Sequence, residues 1–162
     1  MEERPPALSS PAVGALVQRA LATGEQDLAR LVRDDERLAI PDVHALVASA
    51  EAVLAHLRRA PETADLFGTS EAIVWRGHEV PFSLRGADGV VVRGTIDLVV
   101  QRADGVVEVL ELKTGRPARE HEEQLALYVD AARRLFPDAR VEGRVIYASA
   151  PEATFHAERR LT

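Results

Sequence analysis

Three charged residues stand at spacings that suit metal-assisted hydrolysis. Asp97 lies in one run of branched apolar residues, and Glu111 and Lys113 lie in the next run. Carboxylate oxygens bind Mg²⁺ and Mn²⁺, and a bound divalent cation polarises a phosphate and lowers the pKa of a bound water. A neighbouring ammonium group orients that water or stabilises the developing negative charge. We therefore predict that Asp97 and Glu111 are metal ligands and that Lys113 is catalytic.

The composition adds an independent hint about Lys113. It is the single lysine among the chain's 20 basic residues, and all the others are arginine. A sequence so biased toward arginine has kept a compact point charge at this position. The alternative is that Glu111 and Lys113 form an ordinary exposed pair on a solvated strand, because the tripeptide E-x-K is common. Their spacing relative to Asp97 favours the functional interpretation.

The two apolar runs predict a β-hairpin that brings the carboxylates together. Strands at 90–100 and 106–113 are joined by a three-residue loop, in which Gly105 supplies the left-handed conformation. This loop sets Arg102 against Val106, and counting outward sets Asp97 against Glu111, with Cβ atoms about 5 Å apart. Two facing carboxylates repel each other, and a bound cation would neutralise them.

Alternation along the hairpin predicts one chemical face and one apolar face. Lys113 falls on the same side as the two carboxylates. The residues expected to point the other way, into the core, are Ile96, Leu98, Leu110 and Leu112.

The rest of the chain must supply the elements that position this hairpin. Apolar residues at helical spacing predict three helical segments in residues 10–67, the third beginning after Asp42 and ending at Pro61. Beyond Gly68 the period changes to two, and the predicted strands are 72–75, 80–84, 90–100 and 106–113. A helix at 118–136 and a strand at 141–149 follow, with a further strand at 153–161. The predicted fold class is α/β, with a central mixed sheet of about four strands flanked by helices and an N-terminal helical layer.

Length and composition limit the class of protein. The chain has 162 residues and 46% hydrophobic content, which suits one buried core, so we expect a leader or linker remnant at 1–9 and a single domain at 10–162. The absence of cysteine excludes disulfides, thiolate zinc sites and cysteine nucleophiles. With no signal peptide or membrane span apparent, we expect a cytoplasmic protein. The net charge of −6 argues against free-standing DNA affinity and suits delivery by a partner.

Three motifs occur in order along the chain: Gly94 to Asp97 fits G-x-x-D, Glu111 to Lys113 fits (D/E)-x-K, and Gln124 to Tyr128 fits Q-x-x-x-Y. Together they resemble the PD-(D/E)xK nuclease superfamily, specifically its RecB and AddA branch. The resemblance is strongest over 79–147 and implies a restriction-endonuclease-like core. It also implies that the acidic pair binds Mg²⁺ or Mn²⁺, that the lysine assists the attacking water, and that the glutamine and tyrosine support the site or substrate. Independently, Gln124 and Tyr128 lie four residues apart on one helix face.

The resemblance implies a Mg²⁺-dependent deoxyribonuclease that acts as an exonuclease on a single strand. In the RecB and AddA branch such a domain is the C-terminal part of a helicase-nuclease used in DNA repair and recombination. The expected partners are therefore DNA and a helicase motor, in cis or in trans. The chain is then an excised domain or a stand-alone relative.

One position departs from the pattern of the branch. Gln18 stands where the motif G-x-x-V-H-x-x-L has a histidine. An amide oxygen can contact a metal-bound water, so Gln18 is a secondary metal candidate, but it is a poorer ligand than imidazole and cannot act as a base. A catalytically degenerate nuclease-fold module that binds DNA or a helicase therefore stays open, as does a metal-dependent hydrolase of another phosphoester.

Secondary candidates surround these motifs. Glu79 begins a stretch similar to the E-x-P-F segment that precedes the hairpin in AddA-type domains. Three arginines are candidates for contacts with the phosphate backbone: Arg93, Arg116 and Arg119. Of the five histidines, His121 is the one expected near the site, because it precedes Gln124 by three residues on the predicted helix.

Overall fold

Helices precede the sheet along the chain, as the change in hydrophobic period predicts. The computed structural model describes residues 10–148 and 160–161, so the predicted leader at 1–9 lies outside the described residues. The carboxylate of Asp42 accepts the backbone N–H of Ala45 at 2.9 Å and caps the third helix where predicted. The helices before the sheet are α1 (Ser10–Thr23), a short 3-10 helix (Leu28–Leu31), α2 (Asp34–Ala39), α3 (Val43–Arg59) and α4 (Ala64–Phe67).

A mixed five-stranded sheet follows, with strand order β1-β2-β3-β4-β5. The first three strands are antiparallel, β3 and β4 are parallel, and β4 and β5 are antiparallel. Helix α5 (Arg119–Leu135) connects β3 to β4, because parallel neighbours need a crossover. The strands are β1 (Ile73–Arg85), β2 (Val91–Arg102), β3 (Val107–Lys113), β4 (Val141–Tyr147) and β5 (Arg160–Leu161).

The predicted α/β class is confirmed, and one strand prediction needs correction. The segments 72–75 and 80–84 are not separate strands, because the backbone between them stays paired to β2 even though its side chains do not alternate regularly. Of the last predicted strand, 153–161, the structure describes Arg160–Leu161, and the remainder lies outside the described residues. No helix in the described ranges is long and apolar enough to span a bilayer.

Both faces of the sheet are covered around β3 and β4, which is typical where strands run parallel. The N-terminal helices α1 and α3 pack on one face, and α5 packs on the other. Neighbouring residues of β3 therefore enter different cores: Leu110 faces α1 and α3, and Val109 faces α5. The prediction that one face of the hairpin is apolar and the other is purely chemical is wrong in this respect.

The alternation of side chains changes phase beside Asp97. Ile96 packs in the α5 core and Leu98 in the N-terminal core, although the two were expected to share a face. Opposite them, Val80 packs toward α5, whereas His78 lines a cavity with residues of the N-terminal core. Glu79 lies between His78 and Val80 and has φ of 49°. This left-handed conformation rotates the strand, so that the alternation of side chains between the two faces changes phase at Glu79.

A network of ion pairs joins β2, β3 and β4 at the end of the hairpin nearest its loop. The Glu108 carboxylate accepts hydrogen bonds from Arg102 at 2.9 Å and forms an ion pair with Arg144 at 2.8 Å. Arg102 also pairs with Asp65 of α4 at 2.9 Å. Because Glu108 and Arg144 are buried, this pairing prevents an uncompensated buried charge and ties the helical layer to the sheet.

Candidate active site

The hairpin has the register that its loop predicts, and its strands separate at Asp97. Gly105 has φ of 86°, and the Arg102 N–H donates to the Val106 carbonyl at 2.8 Å. Backbone pairing runs out to Leu98 opposite Leu110. Further out, the Leu112 N–H donates to the Asp97 side chain at 3.0 Å. The Asp97 carboxylate therefore lies in the gap between β2 and β3.

Two donors hold one oxygen of Asp97. Oδ2 accepts the Leu112 N–H and also the amide Nε2 of Gln18 on α1, at 2.9 Å. Burial raises the pKa of Asp97, and the Leu112 hydrogen bond and the charge of Lys113 partly counteract this rise. The carboxylate is thus positioned from two sides, by its neighbouring strand and by α1.

Glu111 differs from Asp97 because one of its oxygens has no protein partner. Its side chain is 1% exposed, and Oε1 contacts the Lys113 ammonium. Oε2 is buried without a hydrogen bond. Burial, followed by the nearby charge of Asp97, raises the pKa of Glu111 to about 7. A buried oxygen left without a partner is unfavourable, and a divalent cation would satisfy it.

Lys113 is held by a chain of hydrogen bonds that begins on α5. Its Nζ donates to the Gln124 Oε1 at 3.1 Å, and the Gln124 Nε2 donates to the Tyr128 hydroxyl at 2.5 Å. Tyr128 is 6% exposed, and its ring meets Phe82 edge-on with centroids 5.6 Å apart. The structure therefore brings the three motifs predicted from the sequence into one hydrogen-bonded cluster.

The donor set agrees with a magnesium ion that keeps several waters. Magnesium is commonly held by one or two carboxylates, with water and substrate oxygens completing its octahedral shell. Asp97 and Glu111 supply two such groups. The described ranges contain no group of three or more His, Cys, Asp or Glu side chains that could hold a metal ion. Gln18 turns its amide nitrogen, rather than its oxygen, toward Asp97, so its contact with a metal-bound water stays a prediction.

Of the four secondary candidates, two line cavities at the site and two do not. Glu79 lines a cavity of about 20 Å³ together with Gln18 and Asp97, and so borders the site. Arg116 lines a groove of about 470 Å³ that also contains Lys113. Arg119 is exposed and pairs with Glu123 at 3.0 Å on the surface of α5. Arg93 is exposed on β2, away from both cavities.

Two aromatic residues near the site were not predicted from the sequence. Tyr147 pairs with Lys113 across the parallel strands β3 and β4, and its hydroxyl lies 3.1 Å from the Nδ1 of His121. His78 lines the small cavity beside Asp97. No sequence motif marks either residue, because each reaches the site through pairing between strands that are separated in the sequence.

Comparison with protein families assigns the chain to a known superfamily. The family model of the PD-(D/E)XK nuclease superfamily matches residues 2–160. No curated protein matches the chain significantly. A crystal structure described as that of SSO0001 has a TM-score of 0.45 and 19% sequence identity, with coverage of 93% of this chain and 65% of that one. The chain thus spans 65% of the length of that solved protein.

Proposed function

We propose that this chain, which belongs to the PD-(D/E)XK nuclease superfamily, hydrolyses the phosphodiester bonds of DNA with Mg²⁺ or Mn²⁺. The observation that carries the proposal is the buried Oε2 of Glu111, which has no partner although its other oxygen contacts Lys113. Asp97 lies in the neighbouring gap between the strands. A cation is the group that would satisfy this oxygen and reduce the repulsion between the two carboxylates.

Each residue of the cluster has a separate role in this proposal. Asp97 and Glu111 would hold the metal, which supplies Lewis-acid polarisation of the phosphate and a lowered pKa for bound water. Lys113 keeps its ammonium beside the carboxylates, where it orients the attacking water and stabilises negative charge on the phosphate oxygens. Gln124 accepts a hydrogen bond from that ammonium and so directs it, and Tyr128 holds the Gln124 amide in place.

The finer assignment is to a RecB- or AddA-like exonuclease acting on a single strand. Support comes from the order of the three motifs and from the net charge of −6, which suits a domain that a helicase motor brings to DNA, in cis or in trans. A role in DNA repair and recombination in the cytoplasm follows from that proposal. Residues 10–162 are proposed to form its single domain.

One observation favours a second candidate function. Gln18 occupies the place beside Asp97 and offers it an N–H, whereas a base at this position would need a free lone pair. If no other group replaces that base, the chain is a nuclease-fold module that binds DNA or a helicase without cleaving it. Metal-dependent cleavage of DNA by the purified chain separates the two functions.

Cleavage of end-labelled single- and double-stranded DNA in Mg²⁺ or Mn²⁺, with EDTA as a control, tests the proposal. Asp97→Ala and Lys113→Ala are expected to reduce the rate at least about a hundredfold, because each removes a charged group from the reacting centre. Asp130→Ala, an exposed change on α5, is the matched control and should cleave at the parent rate.

Thermal unfolding with and without Mg²⁺ supplies a readout that does not depend on cleavage. A ligand that binds the folded state raises the melting temperature, so the parent should be stabilised by Mg²⁺ and Asp97→Ala should not. Metal-dependent stabilisation without cleavage would favour the degenerate module. Cleavage at the parent rate by both active-site variants would show that the active centre is wrongly assigned.

A further inference from the structure

Strands β1 and β2 continue past the point where β3 leaves the hairpin. The ladder between β2 and β3 ends at Leu98, whereas β1 and β2 stay paired from Val80 and Ile96 to Arg85 and Val91. We call this two-stranded extension, residues 80–96, the arm. It begins beside Asp97 and so leads directly away from the candidate active centre.

One face of the arm is packed against α5. Phe82 and Leu84 belong to the α5 core, and the Phe82 ring meets Tyr128 edge-on. A Cβ at Gly94 would come within 2.7 Å of the Phe82 ring, so the glycine lets that ring lie flat across the strand pair. This packing fixes the orientation of the arm relative to the site.

The opposite face of the arm is open and carries positive charge. Strand alternation places six residues there, and all six are exposed: Pro81, Ser83, Arg85, Val91, Arg93 and Thr95. The set contains two guanidinium groups and two hydroxyl groups and no carboxylate, in a chain of net charge −6.

Two guanidinium groups lie close together on this face, and a third lies near its edge. Arg93 pairs directly with Ser83, and Arg85 pairs with Val91, so the two arginines are diagonal neighbours. Arg134 of α5 donates to the Arg85 carbonyl at 3.2 Å. Within residues 80–96 the one carboxylate is that of Asp88, which lies in the turn at the tip of the arm.

We infer that the open face of the arm binds the phosphate backbone of the DNA strand beside the scissile bond. This inference rests on the proposed nuclease function and adds a second point of contact to it. Arginine forks and hydroxyl groups are the side chains that commonly contact phosphate oxygens, and such contacts set register without reading sequence.

The length of the arm sets the distance over which it acts. Thr95 lies two residues from Asp97 and Arg93 lies four, which at about 3.4 Å per residue is roughly 7 Å and 14 Å. A stacked nucleic acid strand also rises about 3.4 Å per nucleotide. Arg93 therefore meets a phosphate about four nucleotides from the cleavage site.

The test measures the binding of a fluorescein-labelled oligothymidylate of 16 nucleotides by anisotropy, in EDTA and over a series of salt concentrations. The double variant Arg85→Ala/Arg93→Ala should lower the slope of log affinity against log salt by about 1.4, since each phosphate contact on a single strand contributes about 0.7. Arg85→Lys/Arg93→Lys keeps both charges and should restore most of that slope. The matched control is Arg58→Ala/Arg59→Ala, which removes two exposed arginines of α3.

The outcomes separate this inference from the proposal it rests on. If the parent chain cleaves DNA with metal and the double alanine variant keeps the parent's slope, the inference about the arm is wrong and the nuclease proposal stands. An equal loss of slope in Arg58→Ala/Arg59→Ala also overturns it, because the effect would then reflect overall charge. A parent chain that neither binds nor cleaves DNA overturns both.

Discussion

At the scale of single residues, the two oxygens of Glu111 have different environments. One contacts the Lys113 ammonium, and the other is buried with no partner. An ion pair that satisfied the whole carboxylate would lower the pKa of Glu111, but burial and the charge of Asp97 outweigh Lys113 and raise it to about 7. The metal-free site therefore carries a free-energy cost that a bound cation would remove.

This raised pKa predicts how the stability of the metal-free protein depends on pH. Between pH 4.5 and about 7 the folded state binds more protons at Glu111 than the unfolded state does, so stability falls as pH rises through that window and levels off above it. Glu111→Gln cannot titrate. The free energy of unfolding of the variant minus that of the parent should therefore be larger at pH 8 than at pH 5. The increase is at most about 3 kcal/mol, since one pKa unit corresponds to ~1.4 kcal/mol.

Urea unfolding in EDTA at the two pH values measures this difference. Asp97, whose pKa is also raised, titrates in both proteins and its charge interacts with that of Glu111, so the difference reports the Glu111 carboxylate together with this interaction. A difference between variant and parent that stays constant from pH 5 to pH 8 would contradict the assignment of a raised pKa. Glu123→Gln, an exposed change on α5, is the control.

A second prediction at this scale concerns Gln18. Gln18→Leu removes the N–H that Asp97 accepts and puts an apolar side chain of similar volume in its place. Loss of a group that orients a metal ligand commonly costs 10- to 100-fold in affinity, so we expect a weaker Mg²⁺ affinity of about that size. Titration of the melting temperature with Mg²⁺ measures it, with Gln26→Leu, an exposed change, as control. An unchanged Mg²⁺ affinity would show that Gln18 does not position Asp97.

At the scale of elements, Gly14 of α1 closely approaches Thr114, the residue that follows β3. A Cβ at Gly14 would lie 2.7 Å from the Thr114 Oγ1. Gln18 lies one helical turn later on the same face of α1. The close approach at Gly14 therefore helps to place the Gln18 amide against Asp97.

Gly14→Ala is expected to move α1 away from β3. Overpacking of this kind costs about 1–3 kcal/mol, partly offset by about 1 kcal/mol from the better helix propensity of alanine. Mg²⁺ affinity should fall as well, because Gln18 moves with the helix. In the Gly14→Ala background, Thr114→Ala removes the atoms that clash and should recover both properties. Failure of the second change to restore Mg²⁺ affinity would contradict this account of α1.

At the scale of the whole molecule, two cores share one sheet. Leu110 is 1% exposed in the N-terminal core, and Val109 is fully buried in the α5 core on the other side of the same strand. The Glu108 ion pairs with Arg102 and Arg144 also link the strands. Neither core can lose its packing without disturbing the backbone on which the other depends.

We therefore expect a single cooperative unfolding transition for the chain. Leu110→Ala and Val109→Ala should each lower the stability of that one transition, the former by about 2–5 kcal/mol. Circular dichroism and the fluorescence of Trp75, the single tryptophan, should give the same midpoint in the parent and in both variants. Separate transitions for the two probes would show that the helical part and the sheet unfold independently.

Local spacing in the sequence was enough to determine the hairpin and the polar face of α5. The loop at Gly105 sets the register, and a separation of four residues places Gln124 and Tyr128 on one helix face. These relations depend on backbone geometry over a few residues, so a pattern in the sequence records them. The predicted register is confirmed as far as Leu98 opposite Leu110.

Only the tertiary structure decided how the site is completed. Gln18 and Asp97 are 79 positions apart and meet because α1 packs on the sheet, and the left-handed Glu79 moves Ile96 to the opposite face. The lack of a partner for the Glu111 Oε2 likewise results from packing on both faces of β3. Contacts between distant segments and a strained backbone angle leave no periodic signal, which is why the sequence could not determine them.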